Sequence, residues 1–400
     1  MTERALEEVK VLDLSQGISG SYCGKLFGAF GAEVIKIEPP GLGDPARNIG
    51  PFLNDQPHPE TSAVFLYLNT NKRGLTLNIE ARSGAKILKE LAAKSDILIE
   101  NFPPSYLPGL GLDFNTLSKI NPGLIMASVS DFGQTGPYRD YKGGRLVANA
   151  LGGYTYINGD PGREPLAGGG EQPAYQGGIN AYNGAMAALL SRGTTGQGQH
   201  IDVSIMESMA SIHQFTINRY VYAGRIQERM GNRYVWAHPI TIYPCRDGYV
   251  SICPSAEAQT ESMLTLMGME HLLEDERFQT GFHRLVNCEA FDEIVKPWFM
   301  ERTRREIIYT CQEWRVPSTF VNSVSDLLED EQLNARKFWV ELDHPFAGKM
   351  PYARSPFIMS ETPVHFERAP LLGEHNEEIY TDRLRLTKQE LVRLRQNGVI

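Results

Sequence analysis

The chain has 400 residues, of which 42% are hydrophobic and 22% are charged, and its formal net charge is −9. A disordered chain is excluded, because this apolar content is enough to bury the core of two domains or of one elaborate domain. The acidic balance argues against nucleic acid or an anionic membrane as a partner, although it is compatible with a local basic pocket.

The sequence also lacks the marks of a secreted or membrane-spanning protein. The segment MTERALEEVKVLDLS has neither the basic start nor the apolar run of a signal peptide, and no run reaches about 18 apolar residues. The five cysteines are scattered, and no two have CxxC spacing. We therefore expect a reduced, cytoplasmic protein whose cysteines are buried structural thiols and which has no metal site.

The first part of the chain alternates short apolar strands with helices. A strand is predicted at VKVLDLS, a glycine-rich turn and a helix of small residues follow it, and AEVIKIEPP is the next strand. The pattern continues with a strand at RGLTLNIE, a helix at RSGAKILKELAAKS, and strands at DILIENF and LIMASVSDFG. Strand–helix–strand units of this length predict parallel pairing, so we expect a doubly wound α/β sheet.

The pattern changes near residue 210. Short strands in HPITIYPCRDGYVSICP precede several helices, which indicates a smaller α+β domain. The chain ends with TKQELVRLRQNGVI, an amphipathic helix with a threonine N-cap and a glycine near its end. The predicted domains are a large Rossmann-like domain at 1–224 with 331–400, and a small α+β domain at 225–330.

Polar and basic loops next to the predicted strands indicate where a ligand binds. SQGISGSYCG follows a strand and opens a helix, where backbone N–H groups can face a phosphate, although such glycines also serve helix–sheet packing. Basic segments at successive strand ends favour an anionic, phosphate-bearing ligand over a set of solvated turns. The residues concerned are Lys72, Arg73, Asn101, Phe102, Arg139, Lys142 and Arg145.

No standard catalytic pattern occurs. His200 and His238 are isolated, so we expect both to be structural, and the sequence contains no HExxH, GxSxG or Cys/His pairing. The segment QPAYQGG is predicted to be a loop that precedes a helix, which is a common place for catalytic residues, but it holds no Asp, His, Cys or Ser.

Several segments resemble those of the family III CoA-transferases, also called the CaiB/BaiF family. VLDLSQGISGSYCGKLFGAFGAEVIKIEPPGLGDPAR, FLYLNTNKRGLTLNI, ILIENF, SVSDFGQTGPY, TTGQGQHIDVSIMES and PLLGEHNEEIY occur in this order along essentially the whole chain. The resemblance implies a Rossmann-like large domain built from both chain ends, a small domain, and two chains interlocked in a dimer. It also implies that CoA or acyl-CoA is a substrate. The CoA contacts that it implies are Ile18, Ser19, Thr70, Asn71, Lys72, Asn101, Phe102 and Lys142.

The chain departs from the family pattern at the reacting centre. Family transferases use an aspartate that attacks the acyl-CoA thioester, and the resemblance places this position at Ala174, while Gly178 keeps the family's glycine. A methyl group cannot form the acyl anhydride. Many members also carry an acid and a glutamine upstream, where this chain has Arg145 and Asn149. The catalytic residue is therefore unknown, and Glu171 is the carboxylate nearest to Ala174 in sequence.

Three hypotheses follow from these departures. In the first, the chain is a subunit of a heteromeric CoA-transferase, as in succinyl-CoA:benzylsuccinate CoA-transferase, and a homologous partner supplies the aspartate, for example in a heterotetramer. Such an enzyme moves CoA from a donor such as succinyl-CoA to a small carboxylic acid. Arg145 then either binds a substrate carboxylate or forms a structural salt bridge. In the second, the chain pairs with itself and uses another residue on acyl-CoA. In the third, it binds CoA without catalysis.

Overall fold

Six parallel strands form the sheet on which the rest of the fold is built. The computed structural model describes residues 4–400, apart from the side chain of Gln214. The sheet is ordered β3-β2-β1-β4-β5-β6, which is the strand order of the Rossmann fold, so the predicted α/β class with a parallel sheet is confirmed. Its strands are β1 (Lys10–Asp13), β2 (Glu33–Glu38), β3 (Lys72–Thr76), β4 (Ile97–Glu100), β5 (Ile125–Ser130) and β6 (His200–Ser204).

Helices cover both faces of this sheet. The α-helices of the chain are α1 (Ser19–Ala29), α2 (Ala63–Leu68), α3 (Arg82–Ala92), α4 (Tyr106–Gly109), α5 (Phe114–Ile120), α6 (Arg145–Leu151), α7 (Tyr154–Ile157), α8 (Gln172–Thr195), α9 (Ile205–Ser211), α10 (Gln214–Ala223), α11 (Glu257–Met267), α12 (Gly281–Val286), α13 (Cys288–Met300), α14 (Arg304–Glu313), α15 (Val324–Glu329), α16 (Glu331–Ala335), α17 (Asn376–Glu378) and α18 (Lys388–Gln396). α1 and α8 pack on the face that carries Val11 and Ile99, and α3, α5 and α18 pack on the face that carries Leu12 and Leu98. Both faces are therefore buried, as parallel strands require. Within the described range, no helix combines the length and apolar character needed to cross a membrane.

The remaining strands are antiparallel. β7 (Thr241–Cys245), β8 (Gly248–Ile252) and β9 (Ser318–Phe320) form a three-stranded sheet in that order, and β10 (Trp339–His344) pairs with β11 (Gly348–Ala353) in a hairpin. The core beside the three-stranded sheet is built from side chains of α11, α13 and α14.

The chain divides into compact units that each combine separate segments. One unit comprises Met1–Tyr154, Gly168–Phe215 and Asn334–Ile400, and the other comprises Thr155–Ala167 and Thr216–Leu333. The domain limits predicted from the sequence, 1–224 with 331–400 and 225–330, stay a prediction.

The close approach of α1 and α8 depends on small residues. Gly178 lies so close to α1 that a Cβ atom there would be 2.4 Å from the carbonyl oxygen of Ser19. Further along α8, Ala181 and Ala185 are fully buried in the layer beside the sheet. Interiors pack at nearly crystalline density, so a larger side chain at Gly178 would push the two helices apart. This contact places the first turn of α8 next to the first turn of α1.

Glu100, the last residue of β4, has a buried carboxyl group. The Glu100 side chain accepts a hydrogen bond from the backbone N–H of Phe102 (2.8 Å) and pairs with the hydroxyl of Ser128 on β5. The same hydroxyl lies 2.8 Å from Nε2 of His200. Burial raises the pKa of Glu100 to about 7, and the charge of Asp202 adds to this effect, while the hydrogen bonds act in the opposite direction. Glu100 is therefore a proton-binding group of the folded state near neutral pH.

This pKa predicts a pH-dependent stability that Glu100→Gln removes. A folded-state pKa above the unfolded value contributes stability that is complete below about pH 4.5 and is lost as the pH rises through about 7. The gap corresponds to about 3 kcal/mol, because each pKa unit is worth about 1.4 kcal/mol. Glu100→Gln keeps a neutral side chain, so we expect it to match the parent near pH 4.5 and to exceed the parent's free energy of unfolding above pH 7.

Urea denaturation at about pH 4.5 and about pH 8 measures this difference. The exposed Glu90 on α3 provides the matched control, since Glu90→Gln removes a carboxylate that is not buried. Equal pH dependence in the parent and in Glu100→Gln would contradict the assignment.

Candidate functional site

The carboxyl ends of β1 and β4 mark the switch point of the sheet. β1 pairs with β2 on one side and with β4 on the other, and the strand order proceeds outward in both directions from this pair. Ligands of open α/β sheets bind in the crevice outside the carboxyl ends of strands at such a point. We define the first loop as residues 15–19, which follows β1, and it therefore lies where a ligand is expected.

Asn101 fixes the first loop from the neighbouring strand. Its Oδ1 accepts a hydrogen bond from the backbone N–H of Gln16 (2.7 Å), and its Nδ2 donates to the carbonyl oxygen of Gln16 (2.6 Å) and to Oγ of Ser19 (3.2 Å). The structure thus brings the predicted CoA residues Asn101 and Ser19 together. Ile18, also predicted, is the N-cap of α1. The amide of Asn101 is used to shape the loop.

A network of buried ion pairs lies next to the first loop and holds its backbone. Nζ of Lys36 lies 2.7 Å from Asp44, whose Oδ1 accepts a hydrogen bond from the backbone N–H of Gly17 (2.9 Å). Nζ of Lys72 lies 2.7 Å from Asp13, at the end of β1. Burial alone would raise the pKa of Asp13, but the charges of Lys36 and Lys72 outweigh it and lower that pKa. We call Asp13, Lys36, Asp44 and Lys72 the buried ion network.

Thr70, Asn71 and Lys72, which we call the NKR turn, have hydrogen-bond partners inside the protein. Besides Asp13, Lys72 donates to the carbonyl oxygen of Ser21 (2.8 Å) and to Asn69 (2.9 Å), and burial lowers its pKa to about 8. Oγ1 of Thr70 accepts a hydrogen bond from a buried lysine, and Nδ2 of Asn71 donates to a carbonyl oxygen near the carboxyl end of the chain. Lys72 is the first residue of β3, so the backbone of this turn lies at the amino end of that strand, whereas Asn101 follows the carboxyl end of β4. A CoA contact by these three residues stays a prediction.

Pocket A lies at the carboxyl ends of β1, β2 and β3 and has a volume of about 340 Å³. The rings of Phe102 and Tyr106 lie side by side in its wall, with their centroids 4.7 Å apart. Asn78, Ile79 and Glu80 also line it, and the sequence analysis missed all three. Residues that follow a parallel strand lie at the ligand edge, whereas Thr70 and Asn71 precede β3 and Lys72 is its first residue. The other apolar walls include Leu14, Ile37, Pro39, Pro40 and Leu77.

Pocket B lies beside pocket A, at the carboxyl ends of β4 and β5, and has a volume of about 310 Å³. Phe102 lines both pockets, and Asn101, Arg139 and Lys142 line pocket B together with it. The structure therefore brings the predicted contacts Asn101, Phe102 and Lys142 together. Asp131 also lines pocket B, where burial raises its pKa although the N–H groups of the following Gly143–Gly144 segment oppose that shift.

Ala174 lies in the first turn of α8, the helix that packs against α1. The neighbouring Tyr175 ring packs edge-on against Tyr22 of α1, with 4.8 Å between centroids, and Gly178 touches the backbone of Ser19 one turn later. The unpaired N–H groups of a helix's first turn favour an anion. The position that the resemblance assigns to the nucleophile thus lies one helical turn before Gly178, the residue of α8 that approaches Ser19, and its own side chain is a methyl group.

Arg145 begins α6 and reaches the loop before α8. Its Nη1 donates to the carbonyl oxygen of Gly170 (3.3 Å), and its Nε lies 3.8 Å from Glu171. Both side chains are more than two-fifths exposed, so this ion pair contributes little to stability. Asn149 is buried and donates to the carbonyl oxygen of Arg145. The Arg145 guanidinium therefore lies near the amino end of α8, where its partner Glu171 is itself exposed.

Comparison with known proteins identifies the family of this chain. Residues 6–376 match the sequence model of CoA-transferase family III. The chain is 34% identical to the succinyl-CoA–D-citramalate CoA-transferase of Chloroflexus aurantiacus, over 99% of this chain and 98% of that protein. It is also 34% identical to the beta subunit of the succinyl-CoA–L-malate CoA-transferase of the same organism, over 100% of this chain and 99% of that subunit.

A solved structure gives the same result. A CaiB/BaiF family protein from Brucella suis superimposes with a TM-score of 0.86 at 30% sequence identity, and the match covers 95% of this chain and 99% of that one. Among residues 4–400, no group of three or more His, Cys, Asp or Glu side chains is arranged to hold a metal ion. The family match spans most of the chain and the relatives align from end to end, so this protein is a CoA-transferase that belongs to family III.

Proposed function

We propose that this chain is the subunit of a heteromeric, cytoplasmic CoA-transferase that lacks the nucleophile, and that a homologous partner supplies the aspartate. The observation that carries the proposal is Ala174, a methyl group in the first turn of α8 where the family reaction needs a carboxylate. A relative named as a beta subunit supports a heteromer, and relatives named for succinyl-CoA support that donor. The acceptor is a small carboxylic acid.

The proposed reaction proceeds through covalent steps on the partner's aspartate. That carboxylate attacks the thioester of the donor and expels CoA thiolate, leaving a mixed anhydride. The thiolate then attacks the aspartyl carbonyl, which releases the donor acid and leaves an enzyme–CoA thioester. The acceptor carboxylate repeats these steps in reverse and departs as its CoA ester. None of these bonds can form at Ala174.

This chain's own contribution is to bind and orient. In the proposal, the CoA nucleotide lies against Phe102 across pockets A and B, with Lys142 near its phosphates, and the thioester end points to Ile18 and Ser19. Arg145 binds a carboxylate of the substrate near the amino end of α8, in place of its ion pair with the exposed Glu171.

An exposed apolar helix supports the proposed interlocked dimer. On α10, five large apolar side chains are between 50% and 87% exposed: Phe215, Ile217, Tyr220, Val221 and Tyr222. A helix that exposes this many large apolar side chains is typical of a protein interface. We place the homologous partner, or a second copy in a heterotetramer, on this helix.

Expression with and without a partner tests the proposal. The chain is produced alone and together with the most similar homologue that has an aspartate at the aligned position, and transfer from succinyl-CoA to a panel of carboxylic acids is assayed. We expect activity only in the complex, with the CoA thioester found on the partner by mass spectrometry. Activity of this chain alone would favour a self-sufficient enzyme, with Glu171 as the first residue to replace. CoA binding without turnover with any partner would favour a non-catalytic protein.

Ala174→Asp should give the isolated chain a reactive carboxylate. The new side chain would lie in the first turn of α8, where the helix N-terminus stabilises its charge. We expect succinyl-CoA to label this variant, so that its mass rises by that of CoA less water, and we expect a low transfer activity. Ala174→Asn has the same shape without the nucleophile and should remain unlabelled. A folded, CoA-binding Ala174→Asp variant that is never labelled would contradict the assignment of position 174.

Replacing Arg145 should weaken binding of the acceptor and should not destabilise the fold. Loss of a charge-assisted hydrogen bond costs about 1.5 kcal/mol or more, so we expect Arg145→Met to raise KM for the acceptor at least about tenfold in the complex. Glu171→Gln breaks the same ion pair from its other side and leaves Arg145 free for the substrate, so KM should stay equal or fall. If both variants instead lower the melting temperature equally and KM is unchanged, Arg145 is a structural residue.

A further inference from the structure

Pockets A and B differ in charge. Among the described residues that line pocket A, none is lysine or arginine. Its carboxylates are Glu38, which is buried and bound by Arg47 at 2.7 and 2.9 Å, and Glu80, which is exposed and accepts a hydrogen bond from the hydroxyl of Tyr106 (2.9 Å). The uncompensated charge at this pocket is therefore negative.

Pocket B, in contrast, carries the cations. Arg139 and Lys142 line it together with Asp131 and Asp140, and the Lys142 side chain is exposed. Phe102 is shared by both pockets, so a ligand with a planar base on one side of this ring and phosphates on the other would use both. Base–aromatic stacking needs no charge, whereas phosphate binding favours Lys and Arg.

CoA carries phosphates in two places. The diphosphate joins the ribose to the pantetheine arm, and a separate 3′-phosphate sits on the same ribose as the adenine. If CoA lies as proposed above, the adenine fills pocket A and the diphosphate reaches Lys142. The 3′-phosphate then stands at the mouth of pocket A, where Glu80 is the neighbouring charge.

We infer that this chain recognises the nucleoside end of CoA through the adenine and gains nothing from the 3′-phosphate, so that 3′-dephospho-CoA binds as tightly as CoA. The inference rests on the proposed CoA binding and specifies its chemistry. Like charges repel across a few ångströms even in water, and this repulsion offsets what the phosphate gains elsewhere. The result is a nucleotide site whose phosphate affinity comes from the diphosphate alone.

Calorimetric titration of the full chain with CoA and with 3′-dephospho-CoA tests this. We expect dissociation constants that agree within about threefold, which is less than 1 kcal/mol. Lys142→Ala should weaken both ligands by the same factor. A preference for CoA of more than about tenfold would overturn the inference. If that preference disappears in Arg82→Ala, the basic residue that follows Glu80 in the chain is the 3′-phosphate ligand. Failure of both ligands to bind would contradict the proposed function itself.

A charge reversal gives a second, independent readout. Glu80→Lys places a cation at the mouth of pocket A, so we expect CoA to become preferred over 3′-dephospho-CoA by at least about threefold at low salt. Glu80→Gln is the matched control and should change the ratio much less. Because Glu80 is exposed, both variants should fold. An unchanged ratio in Glu80→Lys would show that the 3′-phosphate lies elsewhere and would overturn the inference.

Discussion

The site depends on a pairing of buried charges beneath the first loop. Asp13, Lys36, Asp44 and Lys72 are almost completely buried, and each lysine has a carboxylate partner at 2.7 Å. Removing one partner from such a network leaves an uncompensated charge in a medium of low polarity, which costs several kcal/mol. Through the hydrogen bond from Gly17 to Asp44, this network also sets the backbone of the first loop. The loop in turn fixes the start of α1, against which α8 packs.

Much of the fold was predictable because parallel strands that are buried on both faces leave continuous apolar runs in the sequence. The strands at VKVLDLS and DILIENF contain β1 and β4, and the last helix has its predicted threonine cap, since Oγ1 of Thr387 accepts from the N–H of Glu390. The hairpin of β10 and β11 lies in a part of the chain where the sequence analysis predicted no strand. Its pairing is set by contacts between strands, which a single sequence does not display.

The candidate site was predicted less completely, for a geometric reason. Asn101, Phe102 and Lys142 follow strands and meet at pocket B, as expected of residues at a carboxyl edge. Lys72 is a basic residue at a strand end as well, but it begins β3 instead of following it, and its ammonium group lies inside the protein. Residue type alone does not distinguish a lysine that meets solvent from one that compensates a buried aspartate. The residues that follow β3, including Glu80, carried no such chemical signal.

Glu100 links the proposed nucleotide site to the pH of the solution. Its carboxyl group holds the N–H of Phe102, whose ring forms a wall of both pockets, and its pKa of about 7 leaves it partly protonated at neutral pH. Any ligand that shifts Phe102, or that brings negative charge close to it, changes the proton occupancy of Glu100. Nucleotide binding and proton uptake are then thermodynamically coupled. The heat released on binding should accordingly vary with the ionisation enthalpy of the buffer, and the dissociation constant of the ligand should change with pH.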